Sequence, residues 1–291
     1  MCRAAPSAPE WPAVTPLEFA SVVFALSVAA GFLGSLLGVG GGLVVVPALT
    51  LLLDVDIRYS IGATIISVIA TSIGAAFGDA QKRRVNLRLA MFLCIASTAG
   101  ALTGAYLTGV VVARWLYVLF GVVMGASALA MLRKRDPSLA ADVPADRFAD
   151  RLRLHGTYMD EAVGEEVSYR VTGKRLGFVL MYVAGILSGL LGIGSGVLKV
   201  PTMDLAMRLP IKVSTGTSNL MIGITATATA GVYFARGQIN PLVAGPVAAG
   251  VLVGARAGSR LLGRLHSSVV RWVFVLVLLW VSSQMLLRGL R

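Results

Sequence analysis

The sequence predicts an all-α integral membrane protein made of two homologous repeats, read as inverted, with eight firm transmembrane helices and two half-length Gly/Pro-broken segments. Three observations predict it. Of 291 residues, 56% are hydrophobic and only 14% charged, with a mean hydropathy of +0.81, whereas ordinary soluble domains carry about 25% charged residues. The apolar residues fall in runs of the ~20 residues needed to cross a hydrocarbon core. Displacing the chain against itself aligns 31–107 with 185–261 without a gap, and 21 of the 77 pairs are identical.

In chain order, residues 1–16 form a polar, Pro-rich tail. The apolar run that starts at Leu17 lacks a prominent small-residue cleavage site and is read as a retained span rather than a signal peptide. Repeat 1 occupies 17–132, with full spans expected at 17–37, 60–78, 89–109 and 114–132 and a half-length piece at 43–53. Repeat 2 occupies 176–291, with spans at 176–193, 214–235, 241–262 and 271–287 and a half-length piece at 197–207. Between them, 133–175 holds nine Lys or Arg and eight Asp or Glu, so it lies in water. Within this linker Leu152–Tyr158 and Val167–Thr172 alternate around the turn-rich Glu161–Glu166, which predicts a small β-hairpin.

The identities of the repeat are selective. Gly31, Gly38, Gly40, Gly42 and Pro47 fall on Gly185, Gly192, Gly194, Gly196 and Pro201. Ile57, Ser60 and Gly62 fall on Ile211, Ser214 and Gly216, and Asn86, Gly100 and Gly104 on Asn240, Gly254 and Gly258. Apolar composition alone matches about one pair in ten and does not single out glycine, proline and asparagine. Basic residues in short loops mark the cytoplasmic side, and here they change sides between copies. Lys82, Arg83, Arg84 and Arg88 in copy 1 face a counterpart holding only Arg236, while the Asp54–Arg58 turn corresponds to Arg208 and Lys212. Five segments per copy, inverted, account for this, with both termini outside and 79–88 and 133–175 inside. The terminal Arg288 and Arg291 oppose that orientation.

The net charge of +12 is scattered between apolar runs without an aromatic–basic reading surface, which argues against nucleic acid. Two cysteines, Cys2 and Cys94, exclude a disulfide framework and a multi-cysteine metal cluster. No cofactor or metal is expected. Trp115, Trp272 and Trp280, with Tyr117, fit interfacial or packing positions.

Two glycine blocks carry the chemistry: Gly38-Val39-Gly40-Gly41-Gly42 and Gly192-Ile193-Gly194-Ser195-Gly196, each followed five residues later by proline. In a helix interior Gly costs about 1 kcal/mol and Pro about 3 relative to Ala, so neither block reads as continuous helix. Irregular backbone at membrane depth persists only where protein or a water-filled cavity satisfies it. Broken segments at matching positions of two halves point to a transporter's central site, where backbone N–H groups meet an anion. Close helix packing by small residues is the competing reading. The substrate-binding candidates are Gly40, Gly41, Gly42, Gly194, Ser195, Gly196 and Lys199, together with the hydroxyls and amide of Ser60, Thr64, Ser214, Thr217, Ser218 and Asn219. Lys199 stands where copy 1 has Val45, and an ionisable group in the membrane is a functional candidate by default. Pairing with Asp204 or reaching an interface are its alternatives. Arg256 and Arg260 are candidates for an anion-attracting vestibule, or a plain cytoplasmic-side signal. Asp79 and Asp204 are the acids available for proton coupling. The remaining hydroxyls of the two spans, Thr225 among them, are assigned to packing.

The paired glycine blocks with Pro47 and Pro201, and the Ser60-Ile-Gly-Ala-Thr64 and Ser214-Thr-Gly-Thr-Ser-Asn219 segments, resemble the TauE/SafE family of membrane transporters from about residue 20 to 287. The resemblance implies export of sulfite, sulfonates or related small anions across a bacterial inner membrane. The reading is therefore a secondary transporter that is not an enzyme, with a small anion and the bilayer as partners and H+ as the candidate coupling ion. A passive anion channel is the alternative. A remote one is an intramembrane hydrolase using Ser195 and His266, against which the missing G-x-S-x-G elbow counts, since position 193 is Ile.

Overall fold

The computed structural model describes residues 15–36, 42–81, 85–132, 156–160, 165–194, 196–262 and 267–290. Its helices are α1 (Pro16–Leu36), α2 (Gly42–Leu52), α3 (Ile57–Gln81), α4 (Leu87–Thr108) and α5 (Ala113–Leu132), then α6 (Lys174–Leu191), α7 (Gly196–Pro201), α8 (Ile211–Ala235), α9 (Pro241–Leu262) and α10 (Ser267–Leu290). A two-stranded antiparallel hairpin, β1 (Gly156–Asp160) with β2 (Glu165–Tyr169), lies between α5 and α6.

Every expected segment corresponds to a helix, and the differences lie at the ends. α3 continues through Asp79 to Gln81, so Asp79 belongs to the helix rather than opening the loop. β2 starts at Glu165 because Glu165 and Glu166 pair with Asp160 and Met159, two residues earlier than side-chain alternation suggested. Proline shapes α7: Pro201 has no N–H for the carbonyl four residues back, and the chain passes directly into a widened π turn over Thr202–Ala206.

Four helices among the described residues are, by length and composition, long and apolar enough to cross a membrane: Leu17–Gly34, Ile57–Ala76, Leu87–Thr108 and Pro241–Gly258. The sequence reading had eight. α5, α6 and α10 offer shorter apolar stretches, Ala113–Leu129, Arg175–Leu191 and Val275–Leu290, and α8 is diluted by the polar residues Ser214, Thr215, Thr217, Ser218, Asn219, Thr225, Thr227 and Thr229. Large apolar side chains nevertheless point outward on nearly every helix, among them Phe24, Ile73, Ile95, Val122, Val183 and Trp280. Such a surface suits lipid and not water. The chain is a multi-pass helical membrane protein.

The most extensive helix pairs join opposite halves. Gly100 of α4 lies against Tyr182 of α6, and a Cβ there would stand 2.1 Å from the Tyr182 carbonyl oxygen. Gly254 of α9 lies against Val28 of α1 with the same 2.1 Å clearance. Contact then advances together along both pairs, Gly104 meeting Ile186 and Gly250 preceding at Phe24, so α4 runs parallel to α6 and α1 parallel to α9. α3 with α8 and α5 with α10 are antiparallel: Gly62 meets Gln238 while Gly223 meets Ser72, and Gly125 meets Ser282 while Gly289 meets Val118.

The two half-length helices also end alike. Asp54 and Arg208 are the two non-glycine residues with positive φ among those described, at 51° and 55°. Just after them Val55 N–H donates to the Leu49 carbonyl and Leu209 N–H to the Met203 carbonyl, both at 3.2 Å. These are matching positions of the sequence repeat. Asn86 and Asn240 match as well: the side-chain oxygen of each accepts a backbone N–H of the following first turn, from Leu89 and Leu242 respectively, both at 3.0 Å.

The bundle has two distinct ends. At one, the hairpin sits on the start of α4, where Asn86 Nδ2 donates to the Tyr169 hydroxyl at 2.8 Å, and Thr172 N–H donates to the Met207 carbonyl at 3.3 Å. Burial pushes the Tyr169 phenol above its ordinary value, against the opposing pull of that Asn86 hydrogen bond. Tyr158, Tyr169 and Val171 join Leu89, Leu93, Met203 and Met207 in a separate core beneath the hairpin. At the far end arginines cap helix carboxyl termini. Arg114 Nε donates to the Gly289 carbonyl at 2.8 Å, Arg236 donates to the Ala105 and Tyr106 carbonyls at 2.8 and 2.9 Å, and Arg288 pairs with Asp54 and donates to the Thr50 carbonyl.

Candidate functional site

The second glycine block breaks the chain as its composition demands. α6 stops at Leu191, Gly192 caps it with φ 64°, its N–H donating to the Ser188 carbonyl, Gly194 follows with φ 71°, and α7 begins at Gly196. Left-handed backbone of this kind is open to glycine and strained for a side chain. In the first block α1 ends at Leu36 and α2 begins at Gly42. Gly40, Gly41 and Ser195 lie outside the described residues, as does His266.

The two blocks meet. A Cβ on Gly42 would lie 3.5 Å from the Gly192 carbonyl oxygen, 2.8 Å from Val68 and 3.0 Å from Thr64. Gly194 rests between Val68 of α3 and Ile222 of α8. Val68 and Ile222 are matching residues of the repeat, and each sits midway along a helix of 25 residues. The breaks therefore converge near mid-length of the two longest helices, where a bilayer midplane would fall.

Buried polar groups without a partner among the described residues lie along the same two helices. Ser60, Ser214 and Ser218 are at most 1% exposed, and their hydroxyls have no hydrogen-bond partner among the described residues. Ser60 and Ser214 match in the repeat and sit one turn into α3 and α8, while Gly192 packs on Ile61 beside Ser60. Thr64 donates to the Ser60 carbonyl at 2.7 Å. Buried hydroxyls are nearly always paired, so these three on α3 and α8 are exceptions among the described residues.

Lys199 is fully buried. Its Nζ donates to Thr225 Oγ1 at 3.0 Å, and Thr225 passes its own hydrogen to the Met221 carbonyl at 2.8 Å. An ammonium has three donors, and one is used. In the other half Val45 is buried at the matching place, and Thr71, the counterpart of Thr225, bonds only within its own helix, to the Ser67 and Val68 carbonyls.

The remaining candidates are placed differently. Thr217 is buried, but its hydroxyl accepts the Asn86 N–H at 3.1 Å, which ties α8 to the start of α4 under the hairpin. Asn219 is half-buried further along α8, and Asp204 half-buried in the π turn. Arg256 is exposed on α9, and Arg260 lies one turn beyond it on the same helix. Thr225 is the residue that sequence reasoning set aside as packing; its identity with Thr71 across the repeat was the available signal. No group of three or more metal-ligating side chains occurs among the described residues. An apolar groove of about 570 Å³ between α3, α8 and α9, lined by residues such as Ile66, Phe234, Pro241 and Ala248, carries no charged group.

The family profile described as "Sulfite exporter TauE/SafE" matches residues 23–285. The chain belongs to the sulfite exporter TauE/SafE family. It is 27% identical over 276 residues to the "Probable membrane transporter protein YunE" of Bacillus subtilis, covering 92% of this chain and 98% of that protein. It is 27% identical over 262 residues to a "Probable membrane transporter protein" of Xylella fastidiosa strain Temecula1, covering 89% and 92%. It is 24% identical over 250 residues to the "Probable membrane transporter protein YdhB" of Bacillus subtilis, covering 86% and 91%. No solved structure matches. For this TauE/SafE protein the matched region spans both glycine blocks, Lys199 and all the orphaned hydroxyls.

Proposed function

We propose that this TauE/SafE protein is a secondary active transporter of the bacterial inner membrane that exports a small anion, sulfite or an organosulfonate, by alternating access. The observation that carries the reading is the meeting of two glycine breaks at mid-length of α3 and α8, with three buried hydroxyls along these two helices that have no partner among the described residues and one buried lysine on the segment after the second break. Hydroxyl, amide and ammonium donors are what a sulfonate's oxygens require. The first N–H groups of α2, which begins at Gly42, add donors and a favourable dipole end.

Architecture supports the mechanism. Parallel packing of α1 on α9 and α4 on α6, with self-matched antiparallel pairs α3–α8 and α5–α10, is the pattern expected of two five-segment halves related by an axis in the membrane plane. Rocking one half against the other around the meeting point exposes it to either side in turn. α5, α6, α8 and α10 join α1, α3, α4 and α9 as full-length helices, and α2 and α7 return from the midplane to the side on which α1 and α6 begin, so each half changes sides an odd number of times. The hairpin end is cytoplasmic in this reading, consistent with Lys82, Arg83 and Arg84 between α3 and α4 and Arg88 in the first turn of α4. The far end is outside, and there Arg288, whose charge opposed this orientation, is neutralised by Asp54.

The test is a panel of small anions, sulfite, sulfoacetate, methanesulfonate and acetate, screened for thermal stabilisation of the purified protein and then for uptake into sealed vesicles. Saturable stabilisation and uptake of the sulfur oxyanions is expected. Stabilisation by none of them, or uptake that never saturates as in an open pore, would refute the proposal.

A further inference from the structure

Lys199 is deep in the protein and, among the described residues, makes a single hydrogen bond, to neutral Thr225. Among the described residues no carboxylate faces it from the packed elements. α6 has no charged residue beyond its first turn, and its Tyr182 turns outward to Thr103. α8 brings Lys212 at its start and Tyr233 near its end, where the latter donates to the Gly189 carbonyl. α4 brings the buried thiol of Cys94 within electrostatic range of the lysine. Asp204 lies five residues further along Lys199's own segment. A buried ammonium with two empty donor positions is several kcal/mol out of balance.

Resting on the transporter reading above, we infer that Lys199 is the proton carrier, and that one anion and one proton cross together without net charge. With the site empty the side chain is a neutral amine donating to Thr225. When an anion enters, the amine lone pair takes a proton from water on the loading side, forming the third N–H bond, and two N–H groups turn to the anion. When the anion leaves on the other side, that N–H bond breaks and the proton returns to water there. Because Val45 fills the matching place in the first half, each cycle has one such charge, which balances the single charge of a monoanion such as methanesulfonate.

Methanesulfonate tests this, because it stays a monoanion and carries no proton of its own. Liposomes containing the protein and a lumenal pH dye receive an inward methanesulfonate gradient with the membrane potential clamped. The expected result is one proton entering per anion, with accumulation insensitive to the clamp. A 100 mV potential changes accumulation of one uncompensated charge about fifty-fold. K199R, with its charge permanently in place, is expected to bind methanesulfonate equally at pH 6 and pH 9 and to lose lumenal acidification, while wild-type binding falls at the higher pH. Accumulation that follows the potential with no pH change in the wild type would overturn the proton-carrier role and leave the anion transporter standing. Neither binding nor uptake of any sulfur oxyanion would remove the transporter reading and this one with it.

Discussion

Replacing Gly100 or Gly254 by alanine tests the two-half architecture energetically. In each case the added Cβ lands 2.1 Å from a carbonyl oxygen of the facing helix, Tyr182 or Val28, and ordinary contact needs over 3 Å, so the helices must separate by about 1 Å. Overpacking of this sort costs about 1–3 kcal/mol, and the obstacle is backbone, which cannot swing aside as a side chain can. At roughly 2–4 °C per kcal/mol for chains of this size, each variant is expected to melt about 2–12 °C below wild type in detergent. Gly74→Ala is the control. Nothing lies within 4 Å of its Cβ in α3, and removing a helical glycine is worth up to about 1 kcal/mol in the opposite direction. Fluorescence-detected thermal unfolding of the three variants measures the differences. If G100A and G254A melt with the control, or if one falls and the other does not, the matched parallel interfaces are not what holds the halves together.

Further consequences are equally open to measurement. Reporter fusions at Ala141 and at the carboxyl terminus are expected on opposite sides of the membrane, since the linker and α10 end at opposite ends of the bundle; reporters on the same side would refute the inverted arrangement. Arg236→Met removes two hydrogen bonds to the end of α4 and the stacking of Arg236 over Tyr106, 5.4 Å from its centroid; a loss of about 1–2 kcal/mol should appear as faster amide exchange confined to the end of α4. Tyr169→Phe deletes the acceptor for Asn86 Nδ2 and should loosen the hairpin by about 1 kcal/mol, read as faster exchange in 156–169 with α3 unchanged. Because the folded-state phenol is raised above its ordinary value of 10.0, its contribution is fully present below that value. The wild-type hairpin should therefore loosen as pH rises past 10 and the Tyr169→Phe hairpin should not change over the same range.

The order of segments was legible in the residues alone, and so were the breaks. Whether α1 ends near Leu36 and α6 near Leu191 depends on hydropathy, on glycine's cost in a helix and on proline's missing N–H, all of which act within a few residues. The repeat was legible for the same reason, because identities at glycine, proline and asparagine survive in linear order. The sequence could not say which surfaces meet. That α1 packs on α9, that Gly42 reaches Gly192, that Thr225 rather than Asp204 receives Lys199, and that Thr217 is spent on Asn86 depend in part on faces separated by well over a hundred residues. Only close packing in three dimensions chooses among many compatible apolar faces, and it does so through clearances of an ångström at small residues that hydropathy does not register.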